Sequence, residues 1–195
     1  SQDTGKDISF GTVVASAGNY YVRITSDQYY DSNQYSVTLT HTEGDTSGYE
    51  QEPNDDLANL VTSGSAISGQ LSSSSDVDWF YLTVDSAGAL SVSFDAPTNS
   101  NSDYFDVAVI DVDGNILAAQ ETGKDISFGT VVSSAGNYFV RITSDYYYDS
   151  NQYSVTLTHT EGDTSGYEQE PNDEYANLIT SGSAISGQLS SSSDV

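Results

Sequence analysis

The chain repeats itself. Residues 1–77 return without a gap as residues 119–195, a period of 118 residues. The copies differ at eight positions: Ser1/Ala119, Asp3/Glu121, Ala15/Ser133, Tyr21/Phe139, Gln28/Tyr146, Asp56/Glu174, Leu57/Tyr175 and Val61/Ile179. A repeat has to be found first, because it fixes the unit in which every element is counted. This unit has the size of one ordinary domain. Residues 78–118 occur only once. A frame opening at the acidic Glu50 divides the chain into residues 1–49, the C-terminal part of a first module; 50–167, a complete module; and 168–195, the N-terminal part of a further one. The expectation is a window on a longer tandem array, in which copy number serves reach or multivalency. Both partial ends lack the central stretch, so they cannot complete one another.

Inside the unit, apolar residues recur at every second position. Phe80, Leu82 and Val84 alternate with Trp79, Tyr81 and Thr83, and Leu90, Val92 and Phe94 alternate with Ser91 and Ser93. Phe105, Val107 and Val109 form another set, as do Tyr20, Val22 and Ile24, and Tyr35, Val37 and Leu39. Period two is the signature of strands with one buried face. Turn residues separate the runs, and Asp113-Gly114 has the composition of a tight turn that needs positive φ. The fold class is therefore all-β: about seven or eight short strands in a two-sheet antiparallel sandwich. Asp55 to Leu60 can make one helical turn at most.

Charge narrows the function. Four Lys and Arg face 29 Asp and Glu, a formal net charge of −25. Nucleic acid is excluded, because a phosphate-backbone reader needs clustered cations. Anionic membrane surfaces are disfavoured on the same ground, and no apolar run approaches the ~20 residues of a membrane helix. Cys is absent, which removes disulfides and thiolate sites. A hydrophobic content of 36% with 15 Tyr argues against disorder. Divalent cations are the first candidate to offset the self-repulsion. The chain reads as non-enzymatic: it has no G-x-S-x-G elbow, and His41 and His159 are lone equivalents in strands.

The order of motifs carries a family resemblance. An acidic connector EQEPNDD (50–56) is followed by ISGQL (67–71) and DVDWFYLTV (76–84), then IDVDGNILA (110–118), AGNYFVRI (135–142) and NQYSVTLT (151–158). In this order the unit resembles the bacterial pre-peptidase C-terminal domain, the β-sandwich family that includes the collagen-binding modules of clostridial collagenases. The resemblance spans the whole unit. It implies a jelly-roll-like sandwich, a secreted or bacterial cell-surface location, and Ca²⁺ at the N-terminal connector of the module.

The residues suit such an ion. Ca²⁺ takes six to eight oxygens from carboxylates, carbonyls and water. Glu50, Glu52, Asn54 and Asp55 offer three carboxylates and an amide, and alternation in an extended segment points Glu50, Glu52 and Asn54 to one side. Asp76 and Asp78 form a second cluster beside the strand at Trp79. Packing of that strand start against the connector would close one cage. By resemblance, Glu50, Glu52, Asn54, Asp55, Asp76 and Asp78 are the matching positions, with the direct ligand of the last two left open. Glu168, Glu170, Asn172, Asp173 and Asp194 repeat the set, with the counterpart of Asp78 falling beyond Val195. Zn²⁺ is disfavoured for want of Cys and clustered His. An ion held jointly by connector and body would stiffen the joint between modules.

Other features read as structural. Asp111, Asp113 and Asn115 look like the start of an EF-hand loop, but its twelfth position is Thr122 rather than Glu, so a hairpin turn is expected. Asp103 and Asp106 near Tyr104 could hold a second ion, but solvated acids are the expectation. Arg23 and Arg141 are expected to pair with an acid on an outer face. Of Tyr29 and Tyr30, recurring as Tyr147 and Tyr148, at least one is expected at the surface. The functional expectation is an extracellular Ca²⁺-binding tandem array serving as a bacterial stalk, adhesin region, filament or biofilm-matrix fibre. Its partners would be neighbouring copies, in cis or in a fibre. The alternative is a substrate-targeting module of a secreted hydrolase, holding collagen, another protein or polysaccharide.

Overall fold

The computed structural model describes the chain except residues 1–4, 6, 15, 27, 28, 45–47, 146, 163, 165, 171–175, 188 and 190–195. Among the described residues there are nine strands and no helix: β1 (Asn59–Leu60), β2 (Ala66–Gly69), β3 (Val77–Val84), β4 (Gly88–Asp95), β5 (Phe105–Ile110), β6 (Ile116–Thr122), β7 (Ile126–Val132), β8 (Gly136–Ser144) and β9 (Tyr153–Glu161). They form two sheets, ordered β1-β3-β8-β5-β6 and β2-β9-β4-β7. β1 runs parallel to β3, and every other pairing is antiparallel. The fold is the expected all-β sandwich.

The alternation read from the sequence builds the core. Phe80, Leu82 and Val84 on β3 share one face of their sheet with Val140 and Ile142 on β8 and Val107 and Val109 on β5, all buried. From the other sheet come Leu90, Val92 and Phe94 of β4 and Tyr153, Val155 and Leu157 of β9. Each such side chain stabilises the fold by roughly 1.5–3 kcal/mol on burial. Tyr153 is the hub of an aromatic cluster, with ring centroids 5.3 Å from Phe94, 5.8 Å from Phe105 and 6.5 Å from Phe80. Its position places a phenol at one end of the core.

Several turn and surface expectations hold. Gly114 takes φ +86°, and the Asp111 carboxylate accepts the Asp113 and Asn115 N–H groups at 2.9 and 2.8 Å. Asp111 thus closes a turn, as expected from the missing Glu. Arg141 pairs with Asp106 at 3.4 Å, so Asp106 is not a solvated acid. Tyr147 is half exposed, while the Tyr148 hydroxyl donates to Leu71 O at 3.1 Å.

One expectation fails. The runs Tyr20–Ile24 and Tyr35–Leu39 are not strands, and no strand forms among the described residues from 5 to 44. Their side chains are exposed. The cause is a shortage of partners. β3, β4 and β5 come from residues 77–110 and are already paired with β7, β8, β9 and β6, so these central strands are not available to the runs at 20–24 and 35–39.

Candidate metal centre

The connector is fastened before it reaches the core. Gly48, at φ +82°, turns the chain so that its carbonyl accepts the Ser68 N–H at 2.8 Å, and Glu50 N donates to Ser68 O at 2.9 Å. Tyr49 bridges Ser68 in parallel fashion, along β2. Asn59 at the start of β1 clamps the next residue: its Oδ1 accepts Gln51 N at 2.5 Å and its Nδ2 donates to Gln51 O at 3.2 Å. These bonds drive the Glu50 side chain inward.

The room for it comes from Gly69. A Cβ there would collide with the Tyr153 phenol and come within 2.7 Å of Glu50 Oε2. A glycine inside a strand marks a close approach of this kind. Glu50 is 5% exposed. Its Oε1 accepts the Gln70 N–H at 2.7 Å, whereas its Oε2 is buried with no hydrogen-bond partner.

Asp78 enters from the other side. The strand begins at Val77, so Asp78 continues the inward series of Phe80, Leu82 and Val84 and is fully buried. Its Oδ2 accepts the Tyr153 hydroxyl at 2.5 Å. Glu50, Glu52 and Asp78 each offer a carboxylate oxygen, and the three atoms lie within 4.8 Å of one another. Asn54, also fully buried, completes the group. Its carboxamide lies 3.2 Å from Glu52 Oε2 and 3.1 Å from Asp78 Oδ1. With nitrogen inward it donates to both; with oxygen inward it adds a fourth oxygen to the cage. Glu52 Oε2 also accepts the Asn54 N–H at 2.8 Å.

The remaining expected residues stand one step back. Asp76 is buried, but its carboxylate accepts the Ser72 and Val77 N–H groups. Asp55 is exposed, and its Oδ1 accepts Val77 N at 3.2 Å. Both brace the turn into β3, and Asp78, rather than Asp76, joins the cage. In the later copy, Glu168 repeats the setting of Glu50: its N donates to Ser186 O at 2.9 Å, and a Cβ on Gly187 would come within 2.8 Å of its carboxylate. Gln169 and Asn177 repeat the clamp at 2.8 and 3.2 Å. Glu170 follows on the same segment; Asn172, Asp173 and Asp194 lie outside the described residues.

Electrostatics single out the same atoms. Burial pushes Glu50 up to about 8, against the pull of the Gln70 N–H, with Glu52 and Asp76 adding repulsion. Burial first and the Glu50 charge second push Asp78 up to about 9, against the pull of the Tyr153 hydroxyl. Glu52 is raised as well, first by burial and then by Asp76 and Asp55. Buried carboxylates this close cannot all stay charged unless a cation or protons neutralise them. The donors are all hard oxygens, which suits a hard cation and offers nothing to a soft one. A second acidic group, Asp103, Glu121 and Asp145, is wholly exposed.

Tyr153, Gln70 and Gly69 were not among the residues expected at the site. Tyr153 could have been found from its inward parity with Val155 and Leu157, which puts a polar tip at the end of an apolar row.

The chain matches no protein-family model and no curated protein. Among solved structures, a crystal structure of the pre-peptidase C-terminal domain of a collagenase from Bacillus anthracis is similar to it. That domain is 20% identical, with a TM-score of 0.42, over 55% of this chain and 99% of that one. A periplasmic inhibitor of g-type lysozyme from Aeromonas hydrophila is similar at 8% identity, with a TM-score of 0.41, over 53% of this chain and 96% of that one. The family of the first is the one that the sequence motifs resemble.

Proposed function

We propose that the chain is part of an extracellular, non-enzymatic array of β-sandwich units, each holding Ca²⁺ between its leading connector and β3. The observation that carries this is the buried Glu50 Oε2, which has no hydrogen-bond partner and points into a cage with Glu52 and Asp78. An ion there would take Glu50, Glu52, Asn54 and Asp78 as protein ligands and fill its coordination with water. It would supply the positive charge that the cage otherwise draws from protons. Because Glu50, Glu52 and Asn54 precede the first strand while Asp78 lies in the core, the ion ties connector to body. The repeat of 118 residues makes that tie recur along an array, as a stalk, adhesin region or matrix fibre requires.

A second reading, a substrate-targeting module of a secreted hydrolase, draws on the outer face of the five-stranded sheet. There Trp79, Phe139 and Tyr81 form a row of partly exposed rings with centroids 6.3 and 6.1 Å apart. Such a row suits stacking on sugar or peptide.

Thermal melts with Ca²⁺ and with chelator test the main reading. A ligand of the folded state alone adds about 2.7 kcal/mol at a hundredfold excess over its Kd. The shift is expected in the wild type and absent in Asp78→Asn. Equal melts with and without Ca²⁺ would overturn it.

A further inference from the structure

The four-stranded sheet of the unit ends on an open edge. β7 pairs with β4 on one side only, and an uncovered edge offers unpaired N–H groups to any passing strand. Here the edge is taken. Val131 N donates to Glu168 O at 3.3 Å, and Tyr167 lays its ring over Gly129, where a Cβ would meet the ring carbon at 3.1 Å. The same short segment pairs on its far side with the next unit's counterpart of β2. Tyr167 bridges Ser186 in parallel, Glu168 N donates to Ser186 O, and Ser186 N donates to Gly166 O, each at 2.9 Å.

The ring contact occurs at both junctions. Tyr49 lies on Gly11, 3.2 Å from where a Cβ would stand, and Gln152 Nε2 donates to Gly11 O at 2.9 Å. Gly11 and Tyr49 are the equivalents of Gly129 and Tyr167. Gly11 keeps its ring although the segment around it forms no strand. The contact is thus a property of the joint rather than of one sheet.

From this we infer that the connector acts as a strand shared between neighbours: residues 166–168 stitch β7 of one unit to the β2 counterpart of the next, so that the four-stranded sheets of successive units join into one hydrogen-bonded ribbon. The partner of the β7 edge is the connector of the following copy. This rests on the tandem reading above and adds the surface by which the copies meet. It also gives one residue two tasks. The backbone of Glu168 closes the preceding unit's edge, while its carboxylate sits against Gly187 as that of Glu50 sits against Gly69. A cation drawing on that carboxylate would therefore hold the joint as well as the module.

Amide hydrogen exchange on the full chain tests the joint. Val131 N–H faces the open side of β7 and is protected only if Glu168 O takes it. It is expected to exchange about tenfold faster in Tyr167→Ala than in the wild type, with Tyr167→Phe near wild type and the β8 amides unchanged as a control of folding. A Val131 amide that exchanges freely in the wild type overturns the joint, and so does protection that survives loss of the ring in a folded variant. The wild-type measurement decides alone if the variant does not fold. The melt with Ca²⁺ separates the two proposals. A protected Val131 without a Ca²⁺ shift leaves the joint and removes the ion, and a Ca²⁺ shift with an unprotected Val131 does the reverse.

Discussion

Residues 5–44 and 123–162 are nearly the same sequence in two conditions. In the later copy Tyr138, Val140 and Ile142 are 7%, 0% and 0% exposed, and Tyr153, Val155 and Leu157 are 2%, 0% and 0%. Their counterparts Tyr20, Val22 and Ile24 are 50%, 49% and 50% exposed, and Tyr35, Val37 and Leu39 are 73%, 52% and 69%. Short-range bonds do not share this contrast. Tyr20 donates to Ser16 O as Tyr138 does to Ser134 O, at 2.6 and 3.1 Å. Asn33 N bonds Asp31 and Asn151 N bonds Asp149, at 2.8 and 2.9 Å. What differs is the pairing with β3, β4 and β5, which residues 123–162 hold. Period-two patterning states a capacity to pair, and the pairing is realised only where partner strands exist.

The largest effect should follow from supplying those partners. Placing a copy of residues 50–118 ahead of Ser1 would give the first copy its own β1 to β5. The amides of Val22, Ile24, Val37 and Leu39 should then become as protected as those of Val140, Ile142, Val155 and Leu157. If they stay unprotected while the later copy remains folded, the shortage of partners is not the cause.

A matched pair of truncations breaks the comparison at single residues. Leu157→Ala should destabilise the fold by about 2–5 kcal/mol, since it leaves a cavity in a sealed core. Leu39→Ala, the same change in the same local sequence, should stay within about 0.5 kcal/mol, as exposed substitutions do. Denaturant melts of the two variants measure both. Similar losses would mean that the first copy is packed in solution.

The same contrast marks what could be read from the sequence. The inward parity of Phe80, Leu82 and Val84 holds in the fold, and Asp78 falls on that parity, which separates it from Asp76, a choice that the motifs left open. The grouping of Glu50, Glu52 and Asn54 was legible too, because alternation along one segment is a local property. Gly69 was not, because the sequence does not state the register that sets it opposite Tyr153. Nor could it tell that β3, β4 and β5 would pair with strands in residues 126–161 rather than with the equivalent residues 8–43. Local rules reach across a few residues, and both of these facts depend on pairings across tens of residues.

The smallest effect sharpens the comparison from the side of charge, because the unit of residues 50–167, which folds into sheets, carries Asp78 beside a buried Glu50. At low pH both groups hold protons whether the chain is folded or not, and they contribute no difference. As pH rises through the ordinary carboxylate range, the unfolded chain releases its protons while the folded one keeps them, since Glu50 is pushed up to about 8 and Asp78 to about 9. The folded state then binds more protons than the unfolded, so stability must fall with rising pH until those values are passed. In chelator, the melting temperature should therefore decline from about pH 5 to about pH 9, with the decline reduced in Glu50→Gln. Saturating Ca²⁺ should flatten or reverse it, because an ion that binds carboxylates competes with their protons. Val22, Ile24, Val37 and Leu39 should exchange their amides at their intrinsic rate throughout, since they lie outside the sheets that this titration loosens. A chelated chain whose stability rises steadily from pH 5 to pH 9 would place Glu50 and Asp78 in water rather than in the core.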